Sequence, residues 1–226
     1  MRNNNASRRT LKARILDLLF PPRCILCQKL LQTPAPVRIC PACQTRYAPG
    51  TRVLHPSGGT FFSGCIAALP YAGDVRSAVH RFKFGGKAAY ADTFGPWLAA
   101  CIRAGFPGAS FVITWAPVSR RRLRKRGYDQ SHLLAEAAAR ALGMPCIRLL
   151  DKTADTPPQS GLKDPARRRA NVAGVYAAVA GAPITGARIL VIDDVFTTGA
   201  TLSECARTLL MAGAERVDCA VLTAKI

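Results

Sequence analysis

Two adjacent carboxylates, Asp193 and Asp194, stand at the end of an apolar run, Ile189-Leu190-Val191-Ile192. A small-polar stretch follows, Thr197-Thr198-Gly199-Ala200-Thr201. Side-by-side acids can accept hydrogen bonds from a pair of vicinal hydroxyls. Hydroxyls and unhindered backbone N–H groups at 197–201 can wrap a phosphate, more so if a helix starts there, because a helix N-terminus favours an anion. Phosphate next to a diol is the shape of a ribose 5-phosphate.

The elements that must hold these groups can be read around them. Residues 189–192 have the character of a buried strand. Leu202, Cys205, Ala206, Leu209 and Leu210 recur at i, i+3, i+4, i+7 and i+8, an amphipathic helix that Gly213 can stop. Strand, turn and helix in this order put the acids and the loop at the carboxyl edge of a parallel sheet, where ligands of open α/β sheets bind. The rival reading is the acidic end of an ATPase strand. No G-x-x-x-x-G-K-[ST] loop occurs in the chain to cradle its phosphates. The stretch resembles the signature of the type I phosphoribosyltransferases. In that family the acidic pair binds the ribose hydroxyls of phosphoribosyl pyrophosphate (PRPP) and the loop binds its 5-phosphate.

A second chemical centre lies near the N-terminus. Cys24, Cys27, Cys40 and Cys43 form a C-x2-C-x12-C-x2-C pattern. Each close pair can chelate from a tight turn, and two such turns complete a tetrahedral set of thiolates. Zinc suits four soft ligands in a closed site. A thiol redox pair and an iron–sulfur cluster are the alternatives. The other five of the nine cysteines are scattered, mostly in apolar segments, which excludes a secreted disulfide framework and points to a cytoplasmic protein with reduced thiols.

The chain has 226 residues, enough for one ordinary α/β domain and a small module, and its 49% hydrophobic content can fill a core. Its net charge is +19, from 32 Lys/Arg against 13 Asp/Glu. Such an excess favours polyanions, either nucleic acid or a phosphorylated small molecule. No apolar stretch is long enough to span a membrane. The basic N-terminus carries a short apolar run broken by Asp17 and reads as a partly helical segment over 1–20, not a signal peptide. The expected division is 1–20, then a zinc module and linker over 21–64, then an α/β domain over 65–226.

Along that last domain, CIAALPY reads as a strand, and GDVRSAVHRFKFGGK as a helix ending in a Gly-Gly turn and carrying Lys83. Residues 88–104 read as a core helix. FVITWAPV, a strand, runs into Ser119 and a basic loop with Arg120, Arg121, Arg122, Arg124, Lys125 and Arg126, placed to hold pyrophosphate or a nucleic-acid backbone. A helix over LLAEAAARALG follows. Tyr128 can stack on a base or pack locally. Residues 151–176 contain three prolines and lack helical periodicity. They read as a flap between strands at 146–150 and about 172–179, with Gln159 and Arg167, Arg168 and Arg169 as contacts. The last strand is 216–225.

Taken together, the two cysteine turns, YAGDVRSAVHRFKFGGK, APVSRRRLRKRGYDQS, PPQSGLKDPARRRANV and VIDDVFTTGATL, in that order, resemble the ComF/GntX family. This chain has RGYDQ where the family commonly has RGFNQ. The resemblance covers almost everything after residue 10. It implies a four-cysteine zinc ribbon preceding a type I phosphoribosyltransferase-like parallel sheet flanked by helices. It also implies a role in natural competence and the handling of incoming single-stranded DNA, with competence-machinery proteins such as helicase or recombination factors as partners. On this reading Asp193 and Asp194 are the catalytic pair. Thr197, Thr198, Gly199, Ala200, Thr201, Ser119, Arg120 and Arg126 bind PRPP, with Mg²⁺ accompanying the substrate, and Lys83, Arg168 and Arg169 add basic contacts. The phosphoribosyl acceptor is open. So is the choice between a transferase and a non-catalytic nucleic-acid-binding or adaptor protein built on the same fold.

Overall fold

The computed structural model describes residues 21–31, 38–55, 60–155 and 173–225. The expected helix before residue 21, Gln159, the arginines 167–169 and most of the flap lie outside the described residues. The chain forms two compact units, Met1–Ala48 and Pro49–Ile226.

In the first unit the chain makes a short antiparallel bridge between Arg23 and Leu30, closing a turn in which Gln28 has φ +65°. Helix α1 (Pro41–Arg46) follows, with Cys40 as its N-cap residue and Pro41 at its start, where the missing N–H costs nothing. Cys24 and Cys27 thus sit on one turn, and Cys40 and Cys43 at the start of one helix.

The second unit is built on a five-stranded sheet ordered β1-β2-β7-β6-β3. Its strands are β1 (Arg52–Val53), β2 (Cys65–Pro70), β3 (Val112–Trp115), β6 (Arg188–Phe196) and β7 (Arg216–Ala224). The short β1 pairs antiparallel with β2, and all other pairings are parallel. A parallel sheet is covered on both faces, which explains why β6 and β7 read as continuous apolar runs. Helices α2 (Gly73–Phe84), α3 (Ala91–Gly105), α4 (Arg120–Arg126), α5 (Gln130–Leu142) and α6 (Ala200–Met211) complete the unit. Helix α6 buries Leu202, Cys205, Ala206 and Leu209 against Ile189, Val191, Val217, Cys219 and Val221 of the sheet. Helices α3 and α5 pack against strands β2, β3, β6 and β7. They approach so closely at Gly95 that a Cβ there would lie 2.3 Å from that of Ala137. A two-stranded antiparallel ladder, β4 (Leu150–Lys152) with β5 (Tyr176–Ala178), forms the base of the expected flap, and Cys146 adds only a lone parallel bridge to Ile113.

Three local expectations change. Residues 120–126 form a helix, not a loop: Ser119 accepts from the Arg122 N–H, and Gly127 closes the C-terminus at φ +80°. Strand β6 does not stop at the acids but runs on to Phe196, because Asp193, Val195 and Phe196 still pair with β7. Its pairing with β3 ends at Ile192, so only that side of the acidic pair lacks a strand neighbour. Finally, β1 hydrogen-bonds to β2, which draws residues from Pro49 onward into the second unit, ahead of the boundary expected at 65.

Candidate functional site

The carboxyl ends of the parallel strands share one edge of the sheet, and Asp193 and Asp194 lie there on β6. Asp193 Oδ1 accepts from Ser131 Oγ at 2.8 Å and from the Asp194 backbone N–H at 2.8 Å. Asp194, 7% exposed, forms a 2.7 Å ion pair with Lys83 Nζ. Burial pushes the Asp193 carboxyl up to about 7. The neighbouring Asp194 charge reinforces this, and Lys83 and the Ser131 hydroxyl oppose it. The pair therefore shares its charge unequally, with the lysine on the Asp194 side.

Immediately after the acids the chain turns through Gly199, whose φ of +77° makes it the N-cap of α6. A Cβ at Gly199 would lie 2.9 Å from the Phe196 ring in a backbone conformation that L-residues avoid. A small open pocket, with about 210 Å³ of empty space, is lined by residues that include Asp193, Thr197, Gly199, Ala200 and Thr201. The buried Thr198 Oγ1 has no hydrogen-bond partner among the described residues. Substituting Gly199 by alanine should weaken phosphate binding at least tenfold and lower the thermal midpoint, because it combines a positive φ with a ring clash. Titration of inorganic phosphate and a melting curve check both effects.

The structure distributes the remaining basic residues unevenly. Arg126 donates to Gln130 Oε1 at 2.7 Å and lies 4.7 Å over the Phe84 ring. Burial lowers its pKa and the Asp194 charge works against that, which places Arg126 in the electrostatic field of the acids. Arg120 is exposed, whereas Ser119 is buried and its hydroxyl caps α4. Arg168 and Arg169 lie outside the described residues. Tyr128 donates its hydroxyl to the Phe82 carbonyl and packs beside the Phe82 ring, so its phenol is committed locally. Asp129 is the N-cap of α5, accepting from the Ser131 and His132 N–H groups, and its second oxygen accepts from Val118 N–H. An acid therefore serves as a structural cap at the position where the RGYDQ stretch departs from RGFNQ.

Two residues at the site had escaped the sequence reading. Ser131 is buried and anchors Asp193. Lys152, on β4, donates to the Tyr176 hydroxyl at 3.5 Å. Burial lowers its pKa with help from Arg122, opposed by Cys205 and Asp193. Neither belongs to a motif with a recognisable spacing, although Ser131 sits within the quoted RGYDQS stretch.

In the first unit the Sγ atoms of Cys24, Cys27, Cys40 and Cys43 all lie within 4.8 Å of one another, and those of Cys27 and Cys40 are 3.7 Å apart. A tetrahedron with metal–sulfur bonds of about 2.3 Å has edges near ~3.8 Å, so the donor set fits zinc. It is the one group of three or more metal-ligating side chains found together among the described residues.

Comparison with known families matches both units of the chain. Residues 100–226 match the phosphoribosyl transferase domain, and residues 15–57 match the double zinc ribbon domain. The competence protein ComFC of Bacillus subtilis (strain 168) is 33% identical over 139 residues, 62% of this chain and 55% of that relative, so the match spans about half of its length. The DNA utilization protein YhgH of Escherichia coli O157:H7 is 26% identical over 206 residues, covering 86% of this chain and 87% of that one. Among solved structures, the glutamine PRPP amidotransferase from B. subtilis is 24% identical with a TM-score of 0.40, over 60% of this chain and 26% of that one. The chain belongs to the phosphoribosyltransferase domain family, as a ComF-like member with an N-terminal zinc ribbon. No helix among the described residues is long and apolar enough to cross a membrane.

Proposed function

We propose that this chain binds PRPP at the carboxyl edge of its sheet and serves in the handling of incoming single-stranded DNA. The observation that carries the first half is the juxtaposition of the acids with the Gly199 turn, where the buried Thr198 hydroxyl has no partner among the described residues. The 5-phosphate takes the backbone N–H groups and hydroxyls of 197–201. Asp193 and Asp194 accept from the ribose hydroxyls, Ser131 holds Asp193 in place, and Lys83 leaves Asp194 for the pyrophosphate. Arg126 and Lys152 add positive charge near it, with Arg120 further out. Charge grows on pyrophosphate as the C1–O bond breaks, so fixed cations there stabilise the transition state more than the ground state. No protein nucleophile is required.

No three carboxylates gather near this site among the described residues, so Mg²⁺ would be carried mainly by substrate oxygens, in keeping with its preference for few protein ligands. When bound it neutralises pyrophosphate charge. Release of pyrophosphate from PRPP, measured across free bases, nucleosides and single-stranded DNA as acceptors, tests transfer. Release that depends on one acceptor establishes the enzyme. None, with PRPP binding intact, leaves a PRPP-binding scaffold.

That second reading has its own support. Six of the seven residues of α4 are Arg or Lys and none is acidic, a charge suited to a polyanion larger than one nucleotide.

A further inference from the structure

We propose that Phe84 is the platform on which an unpaired base of a single-stranded polynucleotide stacks, with the exposed cations of α4 carrying the strand's phosphates. This rests on the reading of the chain as a handler of single-stranded DNA and assigns that role a place.

Phe84 ends α2 and is 58% exposed, so much of a large aromatic surface stands in solvent. Its ring has two neighbours: the Arg126 guanidinium lies 4.7 Å from its centroid and the His80 ring 4.8 Å away. A braced aromatic loses little freedom when a base stacks on it. Arg126, the last residue of α4, ties this ring to the basic helix, where Arg120, Arg121, Arg124 and Lys125 are exposed. A seven-residue helix is about 10 Å long, a reach of roughly two to three nucleotides. Leu123, exposed in the middle of that row, adds apolar surface.

The preceding residue, Lys83, makes the ion pair with Asp194. A stacked base next to a row of phosphate-binding cations selects a single strand, because a duplex hides its base faces.

The test is fluorescence anisotropy of a labelled oligothymidylate, titrated at several salt concentrations into the full chain and its variants. Phe84→Ala should weaken binding roughly 5- to 150-fold, the range for base–aromatic stacking, with the salt dependence unchanged, and Phe84→Tyr should restore it. Arg121→Ala with Arg124→Ala should flatten the slope of log K against log salt by about 1.4, from a contribution near ~0.7 per phosphate on single strands. PRPP affinity, titrated in parallel, should fall far less in Phe84→Ala than oligonucleotide affinity does, so a failure of the PRPP site registers separately. Unaltered oligonucleotide affinity in Phe84→Ala, equal affinity for a duplex of the same length, or no oligonucleotide binding by the wild type would each overturn the proposal.

Discussion

Stripping the metal from the N-terminal unit should unfold it. Its described core amounts to Ile25, Leu26 and Ile39 beside Cys24 and Cys43. Three buried aliphatic side chains contribute about 5–9 kcal/mol at ~1.5–3 each. Ordering the backbone costs ~1–2 kcal/mol per residue, several times that sum. Modules below ~40 residues seldom fold without a metal or disulfides. Zinc on four thiolates supplies about 10–16 kcal/mol, more than the buried side chains do. Treatment with a strong chelator should therefore make Cys24, Cys27, Cys40 and Cys43 react rapidly with a thiol reagent and expose residues 21–48 to protease. Added zinc should reverse both changes. Cys40→Ser should behave as the chelated protein does. Unchanged protease resistance after the metal is gone would show that packing alone holds the module.

Asp193→Asn should stabilise the folded chain above neutral pH while weakening PRPP binding. Burial, the Asp194 charge and the opposing Lys83 and Ser131 contacts leave the Asp193 pKa raised to about 7, from an ordinary value of 3.8. A carboxyl whose folded pKa is raised contributes its full stability below the unfolded value and loses it as pH rises through the folded one. The wild type should thus lose stability from this site between about pH 4 and pH 7. At 1.36 kcal/mol per unit the shift corresponds to about 4 kcal/mol, and the part that belongs to the coupled pair reduces the expected gain to ~1–3 kcal/mol at pH 8. The amide oxygen can still accept from Ser131 and from the Asp194 N–H, so the geometry survives. Denaturant melts at pH 5 and pH 8 should show a variant advantage that grows with pH. The lost charge should cost PRPP about 1.5–3 kcal/mol of binding. An advantage equal at both pH values would mean that Asp193 titrates as an ordinary carboxylate. A stabilising substitution at a binding carboxylate is the behaviour expected where function retains an unfavourable buried charge.

Much of this was legible in the chain because it is local. The cysteine spacing, the apolar run before Asp193, the small-polar turn and the i, i+3, i+4 pattern of α6 each lie within one short segment. The helix at 120–126 was missed because RRRLRKR offers a single apolar residue and therefore no periodicity. Its signals were the caps, Ser119 before it and Gly127 after it, and they outrank periodicity in so short a helix. The continuation of β6 past the acids could not be seen, because an acid pair looks like a strand end unless its partner strand is known. The Lys83–Asp194 ion pair and the Ser131–Asp193 hydrogen bond join residues far apart in sequence, and only the parallel sheet brings them together. Lys152 escaped for the same reason. Its closeness to Tyr176 depends on the antiparallel pairing of two strands that the sequence places on either side of a flap without giving their register.

The acids and the Gly199 turn are proposed to form one PRPP site. Calorimetric titration of PRPP with Mg²⁺ into nucleic-acid-free protein tests it most directly, repeated on the variant that combines Asp193→Asn with Asp194→Asn. Saturable binding at one site per chain is expected in the wild type and its loss in the double variant, with both proteins folded and zinc-loaded. No heat of binding in the folded wild type, or equal affinity in the double variant, would contradict it.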